Sequence, residues 1–171
     1  MKRILILFLL FVLTNANAQN EFAATAFYND FKKIYADAQT GFNACKGAKQ
    51  KSEFAELNTE YRAKIMLPLA DSGKVVLPVS GNPFVIYYFE PDKMRLKIDQ
   101  LGVNLRDAVI IAFDKPLYTR SETTIINNYP FTNTLYFTEP AENPTATAVF
   151  RQCIYFSDGK YYLSFEIRGK K

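Results

Sequence analysis

Apolar residues recur at steps of three and four over residues 20–45. Phe27, Phe31, Ile34, Ala38, Phe42 and Cys45 fall on one stripe, and Asp30, Lys32, Lys33, Asp37 and Gln39 fall off it. The spacing predicts a long N-terminal helix, closed by Lys46 in its last turn and Gly47 just beyond. From Thr59 the period drops to two. Tyr61, Ala63, Ile65 and Leu67 alternate with polar neighbours, which predicts a strand over 59–67 that ends at Pro68. After a turn at Asp71-Ser72-Gly73, a second strand is expected over 74–79, with Pro78 placing it at an edge. A third follows over 84–89, rich in aromatic and β-branched residues.

Residues 91–108 fit two patterns. Met94, Ile98, Leu101 and Leu105 suit a helix, whereas Met94, Leu96 and Ile98 alone suit a strand; Pro91 and the length of the run favour the helix, against Gly102. Short strands are expected over 109–113 and 135–138, and an edge strand over 117–126. Asn127-Asn128-Tyr129-Pro130 reads as a turn, and 140–144 as a loop. The clearest hairpin joins 147–156 to 160–168 through Ser157-Asp158-Gly159. In its second strand Tyr161, Leu163, Phe165 and Ile167 share one face and Tyr162, Ser164, Glu166 and Arg168 the other, so the sheet should be covered on one side only. The expected fold is therefore α+β: a long N-terminal helix on one face of a mostly antiparallel sheet of six to seven strands, with a second helix near 91–108. No internal repeat is visible in the sequence. In the order of its elements this fold resembles cystatin-like and nuclear-transport-factor-like folds, a likeness that implies neither an activity nor site residues.

Residues 1–18 carry the pattern of a cleaved secretory signal. Lys2 and Arg3 precede an apolar run from Ile4 to Leu13, and Ala16-Asn17-Ala18 offers small residues for cleavage. The run is too short to cross a bilayer core as a helix, so no stable membrane anchor is expected after cleavage. Residues 19–171 then form a single α+β domain, exported to a periplasmic or extracellular compartment. The charge of +4 is interspersed, and basic runs occur only at 46–51 and 168–171, so nucleic acid is discounted as a partner. Export also colours the cysteine count. Cys45 and Cys153 are two, an even number, and a disulfide between them would staple helix to sheet; the chain-entropy model gives such a long loop about 4–5 kcal/mol.

The chain contains no histidine, which removes the commonest general base and the commonest transition-metal ligand. Neither a phosphate-cradling glycine loop, nor a nucleophile elbow, nor a calcium loop is present, and no cofactor or metal site is expected. Carboxylates remain. Glu90, Asp92 and Asp114 stand at strand ends and are the candidates for a carboxylate-based hydrolase acting on an envelope glycan, although such acids usually cap helices and line turns. Glu53, Glu56 and Glu60 would share one side of a helix if that stretch were helical.

The compositional excess is aromatic, with 15 Phe and 11 Tyr. Tyr87-Tyr88 and Tyr161-Tyr162 are adjacent in strands, so one of each pair must point away from the core. Tyr129, Phe131 and Tyr136 lie among Asn and Thr. Tyr88, Tyr129, Phe131, Tyr136 and Tyr162 are the candidate binding residues, since an aromatic body with a polar tip suits recognition surfaces; packing against cross-strand neighbours is the plainer role. The expected function is non-catalytic binding of a protein, a glycan or a small apolar ligand. The alternatives are the hydrolase and a structural subunit of an envelope assembly that adds a partner strand to an exposed edge.

Overall fold

The computed structural model describes residues 25–140 and 146–170. The expected signal segment, and most of the 140–144 loop, lie outside the described residues. Over the described residues the chain is α+β, with two helices and one eight-stranded antiparallel sheet. Helix α1 covers 25–38, and β1 (Lys46–Gln50), β2 (Asn58–Ala63), β3 (Ala70–Pro78) and β4 (Phe84–Phe89) follow it. Helix α2 (Arg95–Phe113) then leads β5 (Tyr118–Ile126), β6 (Tyr129–Phe137), β7 (Phe150–Ser157) and β8 (Lys160–Arg168). The strand order is β1-β2-β3-β4-β8-β7-β6-β5. Each half is one helix and a four-stranded meander, and the halves meet through their last strands, β4 and β8, paired antiparallel. The architecture thus repeats where the sequence shows no repeat.

The N-terminal helix is not the long one. Within the described residues α1 ends at Ala38, and the 19-residue α2 is the longer. The stripe is nonetheless buried throughout: Phe27, Phe31, Ile34, Ala38, Phe42 and Cys45 all lie in the core. Its last two members are delivered by a turn. Gly41 (φ 80°) and Phe42 (φ 61°) are left-handed, and the helix ends at Ala38, nine residues before Gly47. Asp37 holds this turn, because its carboxylate accepts the backbone N–H groups of Ala44 (3.0 Å) and Cys45 (2.7 Å). An acid off the apolar stripe, expected merely to face water, is the staple of the segment.

Strands are eight, not six to seven. The extra one is β1, whose KGAKQ sequence has no apolar alternation and which pairs only with β2, across a bulge. Pro78 does not mark an edge, for β3 lies inside the sheet; it is the terminal residue of its strand, opposite Asn58. Asp71-Ser72-Gly73 is not a turn but part of β3. Gly73 is needed there because a Cβ would lie 2.8 Å from the Tyr87 ring and 2.9 Å from Ala63 Cβ. Residues 109–113 are not a strand but the last turns of α2. Ile98, Gly102, Leu105, Val109 and Ala112 keep a three-four spacing that carries one buried stripe through the run. Gly102, which weakened the helical expectation, lets α2 approach β7: a Cβ there would meet Gln152 Nε2 at 2.8 Å and Ile154 Cδ1 at 3.1 Å. β6 spans nine residues rather than four, and it opens after a two-residue turn at Asn127 (φ 51°) and Asn128 (φ 67°). The expected hairpin of β7 and β8 is present, turning at Asp158 and Gly159 with positive φ at both.

Both helices lie on one face of the sheet. Phe150 is the centre of the layer between them. Its ring packs on Phe31 (5.3 Å between centroids), Tyr35 (5.6 Å), Phe113 (5.3 Å), Phe165 (5.9 Å) and Tyr136 (6.3 Å), joining α1, the end of α2 and three strands. Tyr87 and Tyr136 are also fully buried, with each phenol satisfied: Tyr87 donates to the Ile65 carbonyl (2.9 Å) and Tyr136 to Gln152 Oε1 (3.2 Å).

No disulfide joins Cys45 and Cys153; both are buried free thiols. The reason is register. Cys45 lies in the layer between α1 and the sheet, whereas Cys153 alternates with Gln152 and Ile154 and so stands on the opposite face of β7.

Phe150→Ala should cost about 3–5 kcal/mol of stability, read from the urea midpoint, because it empties the ring cluster that both helices share. Burial alone would raise the Asp37 carboxyl, but the N–H groups of Ala44 and Cys45, with the Cys45 thiol and Thr40 hydroxyl, outweigh it and hold the group below the ordinary carboxylate range. Such a group stabilises the fold above its ordinary value and loses that contribution as pH falls through the lower folded value. Asp37→Ala should therefore cost about 1–3 kcal/mol at neutral pH, and the gap to the parent should close as unfolding is measured below about pH 4.

Candidate functional site

Among the described residues no helix covers the second face of the sheet, and the strand registers define what it displays. One row runs Asn133, Cys153, Ser164, Tyr88 and Ser72 across β6, β7, β8, β4 and β3. The next runs Leu135, Arg151, Glu166, Ile86, Lys74 and Arg62. On the other side of the first row stand three rings. Tyr155 lies 5.3 Å from Tyr162, stacked nearly parallel at 11°, and 6.4 Å from Phe131. These side chains enclose a shallow groove of about 220 Å³. Its walls are Tyr88, Phe131 and Tyr155, with Ile86 and Cys153 in the first rows and Arg151, Ser164 and Glu166 as its polar groups.

The polar groups are held in place. Arg151 Nε donates to Asn133 Oδ1 (2.9 Å), which also receives the Cys153 thiol (3.6 Å). Glu166, only 8% exposed, accepts from Arg168 Nε at 2.6 Å. Beyond Tyr88, Glu60 takes Lys74 Nζ at 3.1 Å and Ser52 Oγ at 2.9 Å. The phenols of Tyr88 and Tyr155 are held above the ordinary tyrosine value. Burial raises Tyr88, opposed by Lys74 and reinforced by Glu60 and Glu166. Burial also raises Tyr155, helped by its neighbours Tyr88, Tyr162 and Cys153. The groove therefore offers phenol groups, the Ser164 hydroxyl, the Arg151 guanidinium and the Glu166 carboxylate among half-buried rings. Burial raises the Cys153 thiol, Arg151 opposes this and Glu166 adds to it, which disfavours its thiolate.

Three of the five residues expected from the sequence share this face. Tyr88 and Phe131 line the groove, and Tyr162 flanks it through its stack on Tyr155. Tyr129 is elsewhere, stacked 3.8 Å from Phe156 at the open end of the sheet. Tyr136 is not on a surface at all; it belongs to the core on the helix side. Sequence reasoning missed Tyr155, Arg151 and Ile86. The alternation that exposes Tyr155 and Arg151 was legible, since Phe150 and Ile154 take the opposite side of β7.

The candidate acids do not converge on a cleft. Asp92 Oδ1 accepts the Met94 N–H at 2.7 Å and Oδ2 the Lys97 ammonium at 3.0 Å, so it organises the start of α2. Asp114 is exposed and left-handed (φ 57°) at the end of the same helix, and Glu90 is exposed after β4. Glu53 and Glu56 lie in a turn, and Glu60 is in β2. Among the described residues no three His, Cys, Asp or Glu side chains are grouped to hold a metal ion. No protein-family model, curated protein or solved structure matches the chain.

The thiols give a direct check on the two faces. Burial first, then the hydrogen bond and charge of Asp37, push Cys45 up to about 12. Two thiols per chain should react with a disulfide-exchange reagent after unfolding without reductant, and both should react slowly in the folded protein at neutral pH. A count of zero would mean that the sheet register given above is wrong.

Proposed function

We propose that this is an exported, non-catalytic binding domain that holds its ligand on the open aromatic face of the sheet. The observation that carries the reading is the row Phe131-Tyr155-Tyr162 beside Tyr88, standing on a sheet face that no helix covers among the described residues. Rings left on a surface keep apolar area in water, a cost that a partner removes on binding. The polar residues among them are already oriented by neighbours, so little ordering is needed when a ligand arrives. The ligand class that fits is a glycan or an extended protein segment: flat rings for sugar or side-chain faces, hydroxyls, Arg151 and Glu166 for its polar groups. A small apolar ligand between helix and sheet is disfavoured by the filled layer around Phe150. Export rests on the N-terminal pattern of Lys2, Arg3, Ile4–Leu13 and Ala16–Ala18.

The hydrolase reading loses ground because Asp92 is committed to α2, while Glu90 and Asp114 are exposed at the ends of β4 and α2. The binding reading is tested with an array of envelope glycans and a pull-down from the extracytoplasmic fraction, each run with the parent protein and with Phe131→Ala and Tyr155→Ala. A ligand held by the parent should be weakened at least severalfold by either variant, with the circular-dichroism spectrum unchanged. Equal binding by all three, or no ligand above background in either assay, would overturn the reading.

A further inference from the structure

The two edges of the sheet are built differently. β1 is short, bulged between Lys46 and Lys49, and rich in lysine, which are the usual devices against strand addition. β5 has none of these. It is nine residues long, pairs with β6 through nine consecutive positions without a bulge, and contains no proline. Every one of its residues is exposed, including Tyr118, Ile125 and Ile126. Thr119, Thr123, Thr124, Ile125 and Ile126 are β-branched, which suits a further ladder. Its outer edge has no partner strand among the described residues.

The charges of β5 select a partner. Arg120 and Glu122 stand two apart on the face that carries the aromatic groove, paired with each other at 3.2 Å. An antiparallel copy of the same strand, placed with a two-fold axis through Ser121, sets Arg120 directly opposite the Glu122 of the copy, twice. Thr119 then faces Thr123 and Tyr118 faces Thr124. Shifting the axis to Glu122 puts the two glutamates face to face, and shifting it to Arg120 does the same with the arginines. Opposite charges directly across a ladder stabilise it and like charges destabilise it, so one register is singled out.

We propose that β5 is a self-association edge, where two copies of this chain join antiparallel about Ser121 into one continuous sixteen-stranded sheet. The interface is isologous, as a two-fold requires, and its strand addition uses the same main-chain pairing by which sheets take up peptides. Because the axis stands perpendicular to the sheet, both aromatic faces lie on the same side of the dimer. The inference does not depend on what those faces bind.

Sedimentation equilibrium of the protein across the micromolar range tests the dimer, and three variants test its register. The native protein should sediment as a dimer. Arg120→Glu places glutamates opposite Glu122 at both positions and should raise the dissociation constant on the order of tenfold or more. Adding Glu122→Arg in the same chain restores opposite charges and should bring the dimer back. In Ser121→Cys the two thiols meet on the axis at a Cα separation that a disulfide accepts, about 4.5–5.5 Å, so mild oxidation should cross-link it, and Thr123→Cys should not cross-link. All these positions are exposed, and an unchanged circular-dichroism spectrum shows that a variant still folds. A native protein that stays monomeric, a dimer indifferent to Arg120→Glu, or cross-linking of Thr123→Cys in preference to Ser121→Cys would overturn the proposal.

Discussion

The pairing of β4 with β8 is the constraint on which the rest of this molecule depends. It joins two halves that are each one helix and four strands, and among the described residues it is the only strand ladder that crosses between them. Its helix-side residues, Val85, Tyr87, Phe165 and Ile167, are fully buried. They bridge the area under α1 to the area under α2, so that one core serves both halves. Neither half offers a large enclosed core alone, since small units bury too little surface to fold securely. The Phe150 ring cluster is the consequence: it forms only where α1 from one half meets α2 and β6–β8 from the other.

Using both helices on one side leaves the other side to water. A half-covered antiparallel sheet ordinarily answers with polar residues on its wet face, and this one does so in part. The Leu135–Arg62 row is charged, with Lys74, Arg151 and Glu166 tied to fixed neighbours. The row of Phe131, Tyr155 and Tyr162 departs from that rule. These rings stabilise their strands by cross-strand stacking, and the same surface is free to meet a partner. In the proposed binding role, structural packing and recognition are two uses of one arrangement, and they coincide at the groove beside Tyr88.

Much of the fold could be read from periodicity. The buried stripe of α1, the strand 84–89, the exposed β5 and the β7–β8 hairpin all follow from spacing and turn chemistry. The failures share a cause, which is that local signals were overridden by packing. Gly73 and Gly102 looked like a turn and a helix breaker; both are present because a ring or a side chain from another element occupies the space of their Cβ. Residues 109–113 were read as a strand, wrongly, because a short apolar run fits a buried strand and a buried helix alike. β1 left no signal since its ladder is all main chain. The site was legible by halves. Alternation exposed Tyr88 and Tyr162, but it could not show that Tyr136 faces the helices while Phe131 faces water, because the start of β6 was read as a turn. Nor could it show that the two cysteines lie on opposite faces, which depends on where the turn after α1 leads.

The open aromatic face follows from that division of the sheet, and the division rests on the central seam. Amide hydrogen exchange resolved by strand tests this most directly. If β4 and β8 join the halves into one cooperative core, their amides should exchange slowest, at the rate of global unfolding, with protection falling outward toward β1 and β5. If instead β4 and β8 exchange early while β2–β3 and β6–β7 remain protected independently, the halves are separate units, and the shared core described here is wrong.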